Sequence, residues 1–139
     1  SVIGKDKHMN FYKKFCESKE ISSRVRFFGQ RSATPFYQIA DWCVIPSYYD
    51  PCANVTSEAL AMGVPVISSK LNGGHELLRD GRGLVIDDLS DHHAIAHLIK
   101  EAISRYKTPE NARVLRAAME PYEFEKQFAK MTEVCLASL

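Results

Sequence analysis

Short apolar runs alternate along the chain with longer stretches in which apolar residues return every three or four positions. Runs of the first kind predict buried strands and stretches of the second predict amphipathic helices. Strand and helix repeat four or five times and are then followed by helices alone. That order predicts an α/β fold, a doubly wound parallel sheet with flanking helices and extra helices at the C-terminal end.

The individual elements follow from the same pattern. Val2-Ile3-Gly4 reads as the end of a strand entering a loop, and Phe11, Tyr12, Phe15 and Cys16 fall at helical spacing among lysines, in a helix ending near Ser18 to Glu20. Arg24 to Phe28 predicts a strand that Gly29 stops, and Thr34-Pro35 opens a short helix with a cap and a first-position proline. Trp42 to Ile45 predicts a buried strand ended by Pro46. After it, Asn54 is expected as an N-cap, Ala59 to Met62 as helix and Gly63 as its left-handed stop. Val64 to Ile67 predicts the next strand, Asn72-Gly73-Gly74 a turn, His75 to Arg79 a short helix and Leu84 to Ile86 the last strand. From Ser90 on, Ala94, Ile95, Leu98, Ile99, Ala102 and Ile103 line one helical face. Thr108-Pro109-Glu110 starts another helix, and Pro121 to Leu139 predicts a last one, with Tyr122, Phe124, Phe128, Met131 and Val134 on its apolar side.

Composition narrows the function more than the fold. A chain of 139 residues is expected to form one domain with one core, and 45% apolar residues, 25% charged residues and a net charge of +1 describe a globular protein that needs no polyanionic partner. Nucleic acid is therefore not an expected partner: Lys13, Lys14 and Lys19, and Arg24 with Arg26, are interrupted by Glu17 and Glu20 and read as solvated faces. Four scattered cysteines without a C-x-x-C pair predict a reducing compartment, hence the cytoplasm. No apolar run approaches the roughly 20 residues of a bilayer span, so no integral membrane segment is expected. Neither a signal-peptide pattern nor an initiating Met opens the chain.

Chemistry is expected beyond the carboxyl ends of the strands, where loops meet helix N-termini. Three loops have that place: Gly4-Lys5-Asp6, Gly29-Gln30-Arg31, and the long one from Ser47 to Asn54. The backbone N–H groups of Asn54, Val55 and Thr56 at a helix start form a natural phosphate site, and Asp50 and Glu58 flank it as acceptors for sugar hydroxyls. The plain alternative makes Glu58 a first-turn acid favoured by the helix dipole and Asp50 a turn residue. Elsewhere, His93 and His97 have the i, i+4 spacing of metal ligands but no third ligand at a suitable spacing, so an exposed helix face is the simpler reading. Cys52 sits in the long loop, where a helix N-terminus lowers a thiol's pKa, yet no histidine is placed beside it by sequence; a structural or ligand-lining role is the simpler one.

These residues carry a resemblance. Pro46-Ser47, then Asp50, then Glu58-Ala59-Leu60-Ala61-Met62-Gly63-Val64-Pro65-Val66-Ile67 and the turn Gly73-Gly74-His75-Glu76 resemble the donor-site signature of retaining glycosyltransferases with the GT-B fold, the group 1 type. Val2-Ile3-Gly4 and Arg24 to Gly29 match two earlier landmarks in the right order, so the resemblance covers about residues 1 to 105. Gly4-Lys5-Asp6-Lys7 and Tyr49 to Val55 are similar to the bacterial lipopolysaccharide-core glucosyltransferases within that class.

The resemblance implies a Rossmann-like domain over residues 1 to 139 that binds a nucleotide sugar, a UDP-sugar, as substrate, with no cofactor and no metal. It implies that Glu58 holds the ribose hydroxyls and Asp50 a hydroxyl of the transferred sugar. Cys52, Ala53, Asn54 and Val55 then contact sugar and diphosphate, while Gly4, Lys5, Gly29, Gln30 and Arg31 border the donor. The family's first acid is commonly Glu and is Asp50 here, and its Phe-Gly pair is replaced around Cys52-Ala53-Asn54, which bears on sugar identity more than on the reaction. The family's first strand and helix of this domain, with their Arg and Lys, and its acceptor-binding N-terminal domain are not in the sequence. The isolated chain is accordingly expected to be inactive, and any peripheral contact with a membrane is expected through the absent domain. Two other readings stand beside this one: a nucleotide-sugar-binding module without catalysis, and part of a GT-B-like sugar-nucleotide epimerase. The last helix either packs on this domain or presents its apolar face to the absent one.

Overall fold

The computed structural model describes residues 1–105 and 107–137. The chain falls into two compact units, Ser1–Phe36 and Tyr37–Leu139. The predicted alternation of strands and helices is present, with parallel strands in two separate sheets.

In the first unit β1 (Val2–Ile3) pairs in parallel with β2 (Phe27–Gly29), and α1 (Met9–Ser18) lies between them in sequence. The strand expected from Arg24 begins only at Phe27. Arg24 closes a turn onto Ile21 O, and the two residues of β1 offer a partner to little more than Phe27–Gly29. Gly29 belongs to the strand and leaves it at φ +67°, where its N–H partner strand ends in the Gly4 N to Gly29 O bond of 2.9 Å. Phe28 and Phe36 meet edge to face with ring centroids 4.8 Å apart.

The second unit holds a three-stranded parallel sheet in the order β3 (Cys43–Ile45), β4 (Val66–Ser69), β5 (Gly83–Ile86). β4 is central and wholly buried, as the run Val64 to Ile67 predicts, but it extends through two serines. Their hydroxyls explain this: Ser68 Oγ donates to Ile45 O and Ser69 Oγ donates to Ser47 O, so polar residues enter the core with their hydrogen bonds made.

Helix α4 (His92–Ser104), capped by Asp91 Oδ1 on the Ala94 amide at 2.9 Å, lays Ile95, Leu98 and Ala102 on Ile67 and Ile86. Ile99 and Ile103, expected on the same face, stand at its rim, with Ile103 68% exposed. Helix α3 (Asn54–Ala61) packs Ala59 and Leu60 inward and turns into Val64 at Gly63, whose φ is +74°. A Cβ there would lie 2.8 Å from that of Ala112, so glycine serves both the left-handed turn and the approach of α5 (Pro109–Met119). Helix α5 starts as expected, with Thr108 Oγ1 accepting from the Asn111 amide and Pro109 in the first turn, and it buries Ala112, Leu115 and Met119.

The final helix α6 (Phe124–Ala137) buries none of its described residues. Phe124 and Phe128 stack on each other at 6.1 Å, and Met131 and Val134 continue an exposed apolar stripe, so of the two readings of this helix, packing of that face on its own domain is not seen among the described residues. Ser138 and Leu139, the end of the expected helix, lie outside the described residues. No helix among the described residues is long and apolar enough to cross a membrane.

Candidate functional site

Parallel strands send their loops to one edge, and the loop after β3 there meets the turn after β4. Asp50 and Asn72 form an isolated parallel bridge: Asp50 N donates to Leu71 O at 3.3 Å and Gly73 N donates to Asp50 O at 2.9 Å. The approach is close enough that a Cβ on Gly73 would stand 1.9 Å from Pro51 O. Glycine is therefore a packing requirement of this edge.

Asn72 organises the rest. It is fully buried, and its Oδ1 accepts from Gly74 N at 2.9 Å and from Ala53 N at 3.2 Å. One side chain thus caps the 3-10 turn Gly73–Leu78, where a short helix from His75 was expected, and fastens the residue before α3. Asn54 was expected to cap α3, but the cap position is Ala53, which has no side chain to offer, and Asn54 is the first helical residue. The acceptor that the sequence placed at Asn54 arrives from Asn72, 19 residues away.

The amides at this helix start divide accordingly. Cys52 N donates to Asp50 Oδ1 at 3.1 Å, Ala53 N to Asn72, and Thr56 N to Ala53 O at 2.9 Å. Asn54 and Val55 remain, both exposed, with no hydrogen bond to their amides among the described residues. Of the three amides expected to serve an anion, these two are open and the third is used.

The two carboxylates have different settings. Asp50 does act as a turn residue, through its bond to Cys52 N, and is half-buried. Glu58 is not a first-turn acid: it stands fifth in α3, exposed, and its Oε2 accepts from Tyr37 Oη at 3.1 Å. Tyr37 comes from α2 (Thr34–Ile39) and is 6% exposed. Burial first, and the adjacent Glu58 carboxylate second, raise the Tyr37 pKa, so the phenol stays protonated and stays a donor. Cys43 is pushed up to about 11, mainly by burial and further by Glu58.

Cys52, Ala53, Asn54, Val55, Asp50 and Glu58 thus belong to one loop and helix start in the second unit. Gly4, Lys5, Gly29, Gln30 and Arg31 belong to the first unit, in the turns that follow β1 and β2. His93 and His97 are exposed on α4, and among the described residues no group of three or more His, Cys, Asp or Glu is placed to hold a metal ion. Cys52 is exposed, and its amide rather than its thiol has the structural bond.

Parallel strands with flanking helices, and polar groups gathered round a helix start at the carboxyl edge of the strands, define the α/β class of Rossmann-like folds. Within it, the chain belongs to the family of glycosyl transferases group 1, whose model matches residues 1–115. It is 30% identical over 104 residues to the lipopolysaccharide core biosynthesis glycosyltransferase LpsE of Rhizobium meliloti (strain 1021), an alignment covering 74% of this chain and 31% of that protein. Its fold is that of GT-B glycosyltransferases. The apo lipopolysaccharide outer core galactosyltransferase WaaB superposes with a TM-score of 0.84 at 17% identity, over 99% of this chain and 40% of that one. Anabaena Alr3699/HepE, solved in complex with UDP and glucose, superposes with a TM-score of 0.72 at 21% identity, over 99% of this chain and 40% of that one. The chain spans about a third of the length of the curated relative, 31%.

Proposed function

We propose that this chain is the donor-binding part of a glycosyltransferase that moves a sugar from a nucleoside-diphosphate sugar, a UDP-sugar, to an acceptor with retention of configuration and without a metal. The observation that carries this reading is the α3 start, where the open amides of Asn54 and Val55 stand between Asp50 and Glu58. Amides aimed at a diphosphate stabilise the charge that develops as the nucleoside diphosphate leaves. Glu58, its Oε2 fixed by Tyr37, keeps Oε1 for a ribose hydroxyl. Asp50, with Oδ1 engaged by Cys52 N, keeps Oδ2 for a hydroxyl of the transferred sugar. The chain offers no convincing protein nucleophile at this loop, which favours attack by the acceptor on the face the leaving group departs from. The UDP and glucose held by a protein of the same fold, and the lipopolysaccharide-core role of the relative LpsE, support a UDP-sugar and a polysaccharide or lipopolysaccharide acceptor.

The acceptor lobe is proposed to lie in the two thirds of the relatives' length that this chain does not span, so the isolated chain binds donor without transferring sugar. The exposed stripe of α6 is a surface for that lobe. Calorimetric titration of the chain with UDP-glucose tests the reading. Binding that Glu58→Ala and Asp50→Ala weaken supports it; no heat at millimolar ligand, or sugar transfer by the chain alone, overturns it.

A further inference from the structure

The amino-terminal edge of the β3-β4-β5 sheet holds a cavity of about 230 Å³ that the donor reading does not use. Its walls include the residues that lead into the strands: Trp42 before β3, Pro65 before β4 and Arg82 before β5. Since the three strands run parallel, this is the opposite end of the sheet from Asp50 and Asn54, which follow β3. Arg105, Lys107 and Asn111, from the α4–α5 connection and the first turns of α5, close it.

Three cations and one carboxylate, Asp80, line this space. Arg82 donates to Asp80 Oδ2 at 2.7 Å and to Leu77 O at 3.3 Å, and Arg105 pairs with Glu101. Lys107 differs from both. Its Nζ donates to two neutral acceptors, Tyr37 O at 3.3 Å and Ala40 O at 3.2 Å, and meets no acid among the described residues. Of the three N–H donors of this half-buried ammonium one is left over. The lining also has an apolar part. The Trp42 indole, pinned by its Nε1 bond to Arg105 O at 3.3 Å, forms it with Val114 and Leu115.

We propose that this cavity binds a small phosphorylated metabolite, its phosphoryl group on Lys107, Arg105 and Arg82 and its carbon part against Trp42. Two guanidinium-bearing residues and an ammonium-bearing one lining one space match a dianion with several acceptor oxygens better than a carboxylate. The volume lies below the roughly 300–1,000 Å³ of pockets for drug-sized ligands, which suits a small ligand.

Trp42 is the only tryptophan in the chain, so its fluorescence reports this cavity and not the α3 start. The 139-residue chain is titrated with inorganic phosphate and with glycerol 3-phosphate, against sodium chloride at matched ionic strength. Saturable changes in emission are expected with both phosphates and none with chloride. Glycerol 3-phosphate should bind the tighter, because it also covers the indole. Lys107→Gln and, separately, the more exposed Arg105→Gln should each weaken both by about tenfold, the loss of one charge-assisted contact, while saturating UDP-glucose leaves them unchanged. A response that never saturates, that chloride reproduces, or that survives undiminished in a folded Arg105→Gln overturns the proposal. So does competition by UDP-glucose, which would assign the phosphate to the donor loop.

Discussion

Tyr37 and Glu58, 21 residues apart, are joined by a 3.1 Å hydrogen bond in which the buried phenol donates to the exposed carboxylate. The bond fixes a side chain of α3 from a helix that precedes the sheet. Tyr37→Phe keeps the ring in place and removes only the donor, so its expected cost is about 0.5–1.5 kcal/mol, small because Glu58 can turn to water. Urea denaturation of Tyr37→Phe, Glu58→Gln and the double variant checks this. A coupling energy of zero would mean that the two residues act independently.

Asn72 is the more demanding position. Asn72→Ala leaves the buried amide of Gly74 and the half-buried amide of Ala53 without an acceptor, at about 1–3 kcal/mol for the first and somewhat less for the second. The expected outcome is a loss of about 2–5 kcal/mol in denaturant titration, with faster hydrogen exchange at both amides. Thr56 should behave in the opposite way. Its Oγ1 is buried without a partner, so Thr56→Val, similar in shape, removes an unsatisfied group and leaves stability unchanged or higher.

Gly73→Ala tests the close approach of the two loops. The added methyl would stand 1.9 Å from Pro51 O, and backbone on both sides has to move to admit it. Loss of the Gly73 N to Asp50 O bond, displacement of Asp50 and loss of UDP-glucose binding are expected together, read by amide chemical shifts and calorimetry. Gly81→Ala is the control for a glycine whose Cβ would meet nothing within 4 Å, though its φ of +78° still strains it. It should cost about 1 kcal/mol and leave binding intact.

What the sequence shows of this fold is what local chemistry decides. Thr108-Pro109 marks the start of α5 because cap and first-turn proline act within four residues. Asp50 and Glu58 stand out around a helix start for the same reason, and the ordered run from Pro46 to Glu76 lies within the residues that the family model matches. Interactions between distant segments leave no such mark. Ser68 and Ser69 look polar until Ile45 O and Ser47 O receive their hydroxyls, and Asn54 looks like the cap until Asn72 supplies the acceptor from another loop. Tyr37 carries no sign in its own helix that it will meet Glu58. The apolar stripe of α6 leaves two readings open because period alone does not say whether a partner surface is present.

Cys43 links the site to pH. Burial, with Glu58 adding to it, pushes its thiol up to about 11, above the ordinary value of about 8.5. A pKa raised on folding means that the folded chain binds this proton more tightly, so the associated stability is complete below about pH 8.5 and is lost as pH climbs towards 11. Tyr37 is raised as well, by burial and by Glu58, and adds loss in the same direction at higher pH. The urea midpoint should therefore hold from pH 7 to 8 and fall between pH 9 and about 11, and Cys43→Ala should flatten the first part of that fall. The thiol itself gives an independent readout. At pH 8 a group with a pKa of about 11 is roughly one-thousandth ionised, and the thiolate is the species that reacts. Iodoacetamide should thus modify exposed Cys52 well before half-buried Cys43, and the lag should shrink as pH rises and in Glu58→Gln, which removes the charge that helps keep the Cys43 proton in place.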